Sequence, residues 1–215
     1  MLELNEAWIT LKLAGWIIVP LSLLAIIALA ILLEKAFLYW QFARLSNDLL
    51  NLVETYSFKW EDLEKILSAL DRRHYYRRFL ETVITHRHRP SWWIESRVAD
   101  EIQLIEASLV RRLWTLETIV TAAPLLGLVG TVIGMMDAFK IIGSAGVVNP
   151  TGVTGGVAQA LIATVIGLII ALIALFGFNY FSRLQSQTMD EMERLGTRMI
   201  DYIRLTQENT DYEDT

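Results

Sequence analysis

Residues 141 to 182 form a run of 42 without a single charged side chain, bounded by Lys140 and Arg183. A stretch this apolar is not the exterior of a water-soluble protein, so its second half must cross a bilayer. One side chain inside it is out of keeping: Gln159, in Gly-Val-Ala-Gln-Ala-Leu-Ile-Ala-Thr. An amide has four hydrogen-bonding positions to satisfy. Near the start of a spanning helix it costs free energy unless it is hydrogen-bonded or hydrated. Gln159 therefore implies a helix-lined interior.

Two further windows lack charge. Leu13–Leu33 is 21 residues between Lys12 and Glu34, and Thr118–Met136 is 19 residues between Glu117 and Asp137. The third window is best centred on Val157–Phe181. About 20 apolar residues, at about 1.5 Å each, cross the roughly 30 Å hydrocarbon core, so three spanning helices fit. None of the windows has a polar face at helical spacing, which argues against a soluble bundle. The first window is longer than the apolar core of a signal peptide and is followed by Glu34-Lys35-Ala36-Phe37 rather than a small-residue cleavage site. It reads as an uncleaved anchor. The chain has no cysteine, which removes disulfides and thiolate metal sites.

Basic residues set the topology. Of 19 Lys and Arg, 13 lie between Lys35 and Arg112, and Arg183, Arg194, Arg198 and Arg204 follow the third window. The segment Ile141–Gly156 has none. Basic flanks stay on the cytoplasmic side, so the middle segment and C-terminus are expected inside, the N-terminal tail and the 141–156 loop outside. The resulting organisation is a periplasmic tail at 1–13 carrying Trp8, a first span at 14–33, a cytoplasmic helical domain at 34–116, a second span at 117–141, a periplasmic loop at 142–154, a third span at 155–182, and a C-terminal cytoplasmic helix with an acidic tail at 183–215. The fold class is an all-α membrane protein whose second and third spans extend far into the cytoplasm as a helical bundle.

Within that domain, Ser57 is an N-cap candidate for a helix over Lys59–Leu70, with acidic residues in its first turns. A second helix is expected over Asp71–Thr85, ended by His86-Arg87-His88-Arg89-Pro90. Ser91 then caps a long helix. Its stripe Ile94, Val98, Ile102, Ile105, Leu109 and Leu113 runs without a break signal into the second span, which predicts one helix of about 45–50 residues at spacings of three and four. Gly143, Gly146, Asn149-Pro150 and Gly152 make the outside turn. The third helix is expected from near Thr154, and Glu208–Thr215 is expected to be disordered.

The second and third spans are rich in small residues. Gly127, Gly130 and Gly134 repeat at three and four, as do Ala160, Ala163, Gly167 and Ala171. Such stripes let helices approach closely in lipid. They serve packing inside one subunit, or also an interface with identical subunits or a partner. Among the polar side chains of these spans, Thr131, Gln159 and Thr164 stand beside the stripes. A membrane threonine ordinarily bonds its own helix backbone. Gln159 shares a face with Ala163, and Thr164 lies about 140° round from it.

The segment Ala-Pro-Leu-Leu-Gly-Leu-Val-Gly-Thr-Val-Ile-Gly-Met (123–135), followed by Gly-Val-Ala-Gln-Ala-Leu-Ile-Ala-Thr-Val-Ile-Gly-Leu (156–168), resembles the ExbB/TolQ/MotA proton-channel family. The three spans and the insertion between the first two match ExbB and TolQ along nearly the whole chain; four-span flagellar stators of the MotA type are less similar. The resemblance implies a homopentamer around a hydrophobic pore that holds single spans of an ExbD/TolR-like partner. It implies proton-driven rotation and work passed to a TonB- or TolA-like protein across the periplasm. It maps pore-lining polar positions onto Thr131, Thr164 and Gln159. The chain departs from the pattern at Gln159, where the best-known members carry glutamate. Glutamine does not titrate, so the proton-binding carboxylate is expected on the partner.

Other features are weaker. Asp137 and Lys140 form an i,i+3 surface pair or shape proton access. His86 and His88 lack the further ligands a metal site requires, and no cofactor or metal is expected. Arg72, Arg73, Arg77 and Arg78 form a solvated basic face or meet lipid headgroups. No nucleophile–base set, phosphate loop or nucleotide motif appears, so neither enzymatic activity nor nucleic-acid binding is expected. The competing function is a passive scaffold that stabilises its partner without conducting protons.

Overall fold

The computed structural model describes residues 15–43, 59–144 and 150–213, leaving aside the side chains of 15, 141–144, 150–153, 159 and 208–213. The tail at 1–13, Ser57, and residues 145–149 of the outside turn lie outside the described residues. After a 3-10 turn at Gly15–Ile17, the described residues form six helices: α1 (Ile18–Phe42), α2 (Trp60–Ala69), α3 (Tyr75–His86), α4 (Ser91–Val110), α5 (Leu113–Ser144) and α6 (Pro150–Glu213). Among the described residues there is no strand. Ile18–Phe42, Ser91–Lys140 and Thr154–Gln207 contain apolar stretches long enough to cross a membrane. At about 1.5 Å per residue, the 64 residues of α6 run for about 96 Å, far beyond a hydrocarbon core of about 30 Å.

The chain forms two compact units. One, Met1–Leu33 with Arg112–Tyr180, is apolar. Its surface carries Leu23, Ile26, Leu29, Leu125, Leu128, Leu161, Leu168, Leu172 and Phe176, all exposed. Contiguous apolar surface of this extent belongs in lipid or against protein. Its interior combines small side chains, Ala123, Ala138, Ala160, Ala163 and Ala174, with Leu21, Leu116 and Ile119.

The other unit, Glu34–Arg111 with Phe181–Thr215, carries most of the charge. It is built like a soluble bundle. The α4 stripe Ile94, Val98, Ile102, Ile105 and Leu109 is buried, with Phe79, Leu80 and Val83 of α3, Leu63 of α2, and Met192, Leu195 and Met199 of α6. Each such side chain contributes about 1.5–3 kcal/mol on burial. At Gly196 a methyl group would come within 3.1 Å of Val98 Cγ1, so α6 lies close over the α4 stripe. Polar ties hold the rim. Arg78 pairs with Glu101 at 2.8 Å, Arg87 with Glu64 at 2.9 Å, and Gln207 donates to the Arg89 carbonyl at 3.0 Å.

Several element boundaries differ from the sequence expectations. The N-cap of α2 is Lys59, with no side-chain cap, and Glu61 and Asp62 supply the favourable charge in its first turn. Helix α3 starts at Tyr75 rather than Asp71, because Asp71 Oδ1 accepts the Arg73 amide at 2.8 Å and holds a turn there. Pro90, not Ser91, stands at the N-cap of α4, its carbonyl accepting the Trp93 and Ile94 amides. Gly143 and Gly152 are helical, and α6 opens on Pro150, whose missing N–H falls where a helix has no internal partner anyway. Residues 208–213 are helical rather than disordered, since extending an existing helix needs no new nucleus.

The largest difference lies between α4 and α5. The single long helix read from the sequence is interrupted at Arg111 and Arg112, and Arg112 has φ 70°. A left-handed conformation costs a non-glycine residue roughly 1–2 kcal/mol. Lys35 of α1 is buried, and its ammonium donates to the carbonyl of Leu109 at 2.5 Å. Leu109 is in the last turn of α4, where carbonyls have no intrahelical donor and a cation is favoured.

Tyr76 is 1% exposed, and its hydroxyl donates to Glu191 Oε2 at 2.7 Å. Burial, then the Glu191 carboxylate, push its phenol well above the ordinary tyrosine value. A raised folded value adds stability in full below the unfolded value of about 10, and that stability is lost as pH rises past it. Tyr76→Phe is therefore expected to lower stability at pH 7 by about 1–2 kcal/mol. It should also flatten the loss of stability in strong alkali. Thermal unfolding followed by circular dichroism across pH 7–11 in detergent (~four pH points suffice, given the ordinary tyrosine range) checks both.

Candidate functional site

Helices α5 and α6 meet along the small-residue stripes. A methyl group added at Gly127 would lie 2.9 Å from Thr164 Cα, at Gly130 2.7 Å from Ala163 Cβ, and at Gly134 2.9 Å from Ala160 Cβ. At Gly167 it would lie 2.5 Å from the Ala123 carbonyl oxygen, and at Gly156 2.9 Å from Ala138 Cβ. Partner numbers fall on α6 as they rise on α5, so the helices are antiparallel. Backbone meets backbone at Gly127 and Gly167, which no side chain larger than hydrogen allows. The start of α1 also reaches this seam: a methyl at Gly130 would lie 3.1 Å from Ile17 Cγ2. Six residues singled out for helix packing, Gly127, Gly130, Gly134, Ala160, Ala163 and Gly167, thus come together along one line within one subunit.

The polar positions part company. Thr164 donates its hydroxyl to the Gly127 carbonyl of α5 at 3.0 Å, a bond between helices. Its oxygen retains lone pairs to accept another bond. Thr131 is half-buried and donates to its own helix, to the Leu128 carbonyl at 2.7 Å. Gln159 belongs to α6, and its side chain lies outside the described residues. Pro124 sits inside α5 and removes the donor that would reach the Val120 carbonyl. No Asp, Glu, His, Lys or Arg side chain lies between Glu117 and Asp137 or between Lys140 and Arg183. The hydrogen-bonding groups offered by the apolar unit in these stretches are therefore hydroxyls, amides and carbonyls.

The remaining candidates resolve into local contacts. Asp137 and Lys140 pair at 3.0 Å on the surface of α5. His86 Nδ1 is 2.9 Å from the Thr82 carbonyl, its ring against Trp93, and His88 Nε2 accepts from Arg87 Nε at 3.3 Å. Among the described residues no group of three His, Cys, Asp or Glu side chains converges. In the arginine cluster, Arg77 donates to the Leu70 carbonyl at 2.6 Å and Arg78 pairs with Glu101, while Arg72 and Arg73 are exposed.

Lys35 was missed as more than a flanking charge. The signal was available: Leu21, Ala28, Ile31, Lys35 and Tyr39 share helical spacing, so a lysine stands on the buried stripe of α1.

The profile of the MotA/TolQ/ExbB proton channel family matches residues 69–194, more than half of the chain and the whole of the α5–α6 seam. The chain belongs to this family. It is similar to the biopolymer transport protein ExbB-like 3 of Synechocystis sp., 36% identical over 178 residues that cover 79% of this chain and 82% of that protein. It is also similar to ExbB-like 1 of the same organism, 30% identical over 86% of this chain and 74% of the relative. The ExbB protein of Aquifex aeolicus is 40% identical over 79 residues, 37% of this chain and 53% of that protein. With its three apolar helices, this family member is a multi-pass membrane protein of a transport-associated, proton-channel type.

The seam makes a graded prediction. Gly167→Ala and Gly127→Ala are expected to destabilise the protein by about 1–3 kcal/mol through overpacking. Gly155→Ala, where nothing lies within 4 Å, should be neutral or stabilising by about 0.5–1 kcal/mol. Melting temperatures of the three purified variants give the order directly.

Proposed function

We propose that this protein is the pore-forming subunit of a proton-driven motor of the ExbB/TolQ type in a bacterial inner membrane. In this reading several copies, five by resemblance, surround single spans of an ExbD/TolR-like partner. Proton flow through the assembly is converted into work on a TonB- or TolA-like protein that reaches across the periplasm. The N-terminus faces the periplasm and the C-terminus the cytoplasm, in keeping with the distribution of arginines.

The observation that carries this reading is the pairing of family membership with α5 and α6 stretches that hold hydroxyls and amides but no carboxylate, imidazole or basic side chain. Such a wall orients water and bonds a partner, and it does not bind the transported proton. Thr131, Thr164 and Gln159 are the wall positions, and the carboxylate comes from the partner's span. Gly127, Gly130, Gly134, Ala160, Ala163 and Gly167 keep the two helices close enough for that wall to be continuous. Thr164 holds the wall together and also faces it with its free lone pairs.

A second reading is favoured by one specific observation. The Thr164 hydroxyl is already engaged by the Gly127 carbonyl, which suits a passive scaffold that supports its partner without conducting. Proton flux separates the two. In liposomes carrying both subunits and a trapped pH dye, an imposed potential should drive acidification that vanishes when the partner's intramembrane acid is neutralised. Gln159→Leu and Thr131→Val are each expected to cut that flux at least about tenfold while the oligomer still assembles, as loss of a buried polar contact worth about 1.4 kcal/mol would. Full flux in both variants sinks the pore assignment, and absence of flux from the native pair favours the scaffold.

A further inference from the structure

Thr131 stands at the edge of the buried face of α5, and the exposed face beside it changes character along its length. At about 100° per residue, Thr131, Leu128, Pro124, Thr121 and Glu117 fall within an arc of about 80°. Thr121 and Glu117 are exposed. In the other direction from Thr131 the same arc carries Met135 and Phe139, exposed and apolar. The face is polar only toward the start of α5.

Three groups make it so. The Thr121 hydroxyl donates to the Thr118 carbonyl at 2.9 Å, which leaves its lone pairs to accept from water. Pro124 deprives the Val120 carbonyl, on the same side of the helix, of its usual i+4 donor. Glu117 ends the uncharged stretch that runs to Asp137. At about 1.5 Å per residue, that stretch is about 30 Å long, the thickness of a hydrocarbon core. A carboxylate at that edge, with a hydroxyl one turn deeper, is costly against lipid and suits a water-filled mouth.

On the reading of this protein as a pore-forming subunit, we propose that α5 lines the cytoplasmic exit of the proton path. The Thr121 hydroxyl and the Val120 carbonyl orient the last waters. The Glu117 carboxylate accepts a proton from them, becomes a carboxylic acid, and passes the proton to cytoplasmic water. Thr131 and Thr121 stand about 15 Å apart along the helix, too far for direct transfer, so water fills the interval.

A chain without cysteine makes the test direct. Inverted membrane vesicles holding the protein assembled with its single-span partner are exposed to a charged, membrane-impermeant methanethiosulfonate reagent. Ile169→Cys is the control. The seam sets Gly127 against Thr164 and Ala123 against Gly167, which places the exposed Ile169 level with Thr121. A thiol reacts as its thiolate, and apolar surroundings suppress that form. Thr121→Cys is expected to react at least about tenfold faster than Ile169→Cys, the effect of one pKa unit in thiolate ionisation. Equal rates overturn the proposal, whether lipid or another subunit covers the face.

Proton flux through the two subunits in liposomes gives the second readout. Glu117→Gln is expected to lower flux about tenfold, less than the roughly 10²-fold of a fully committed proton-transfer group, because water still reaches the mouth. Glu117→Asp should restore most of it. Full flux in Glu117→Gln overturns the exit assignment, and if Gln159→Leu is impaired in the same assay the pore reading stands without it. No flux from the native pair removes both.

Discussion

The approach of the α5 backbone to the α6 backbone is the constraint from which the apolar unit is built. Lipid supplies no hydrophobic drive for helices to associate, so contact area and hydrogen bonds must do so. Glycines at 127 and 167 bring main chain against main chain, and alanines at 123, 160 and 163 fill the line between them. At that separation the Thr164 hydroxyl reaches the Gly127 carbonyl across the seam. A larger residue at either glycine would lengthen that bond as well as separate the helices. The packing positions and one of the polar positions are therefore a single mechanical element.

The second unit obeys the opposite solvent rule, with large apolar side chains inside and charge outside. The chain passes between the two regimes at residues 33–34, 111–112 and 180–181. Two of these passages run through unbroken helix, α1 and α6, and the third falls on the α4–α5 interruption. The break thus marks the one described crossing at which helix geometry changes.

Most of the helix content was legible because periodicity and charge segregation are long-range signals. The stripes on α4, α5 and α6 mark buried faces, and three charge-free windows mark the apolar stretches. What escaped the sequence reading was local competition for single hydrogen bonds. The Asp71 carboxylate diverts the Arg73 amide and delays α3. Pro90 displaces Ser91 as the cap of α4. The Leu109 carbonyl before the Arg111–Arg112 break accepts from Lys35, 74 residues away, and no pattern along α4 discloses a donor from α1. At the candidate site, the glycine and alanine spacing was readable and the partner of Thr164 was not. An i−4 carbonyl of its own helix is the default for a threonine, and only the close seam offers a better one.

The seam has one more consequence, for the outside of α6. Its small residues are turned inward, so the outward surface from Leu161 to Phe176 is left with Leu161, Val165, Leu168, Ile169, Leu172, Ile173 and Phe176. None of these side chains carries a directional hydrogen-bonding group. Dispersion contacts of about 0.1–0.2 kcal/mol per atom pair act there, and no hydrogen bond from these side chains fixes a register. A neighbour displaced along or around this face breaks no hydrogen bond to these side chains in doing so. By drawing its Gly167 and Thr164 toward the seam, α6 presents a purely apolar face to whatever lies beside it.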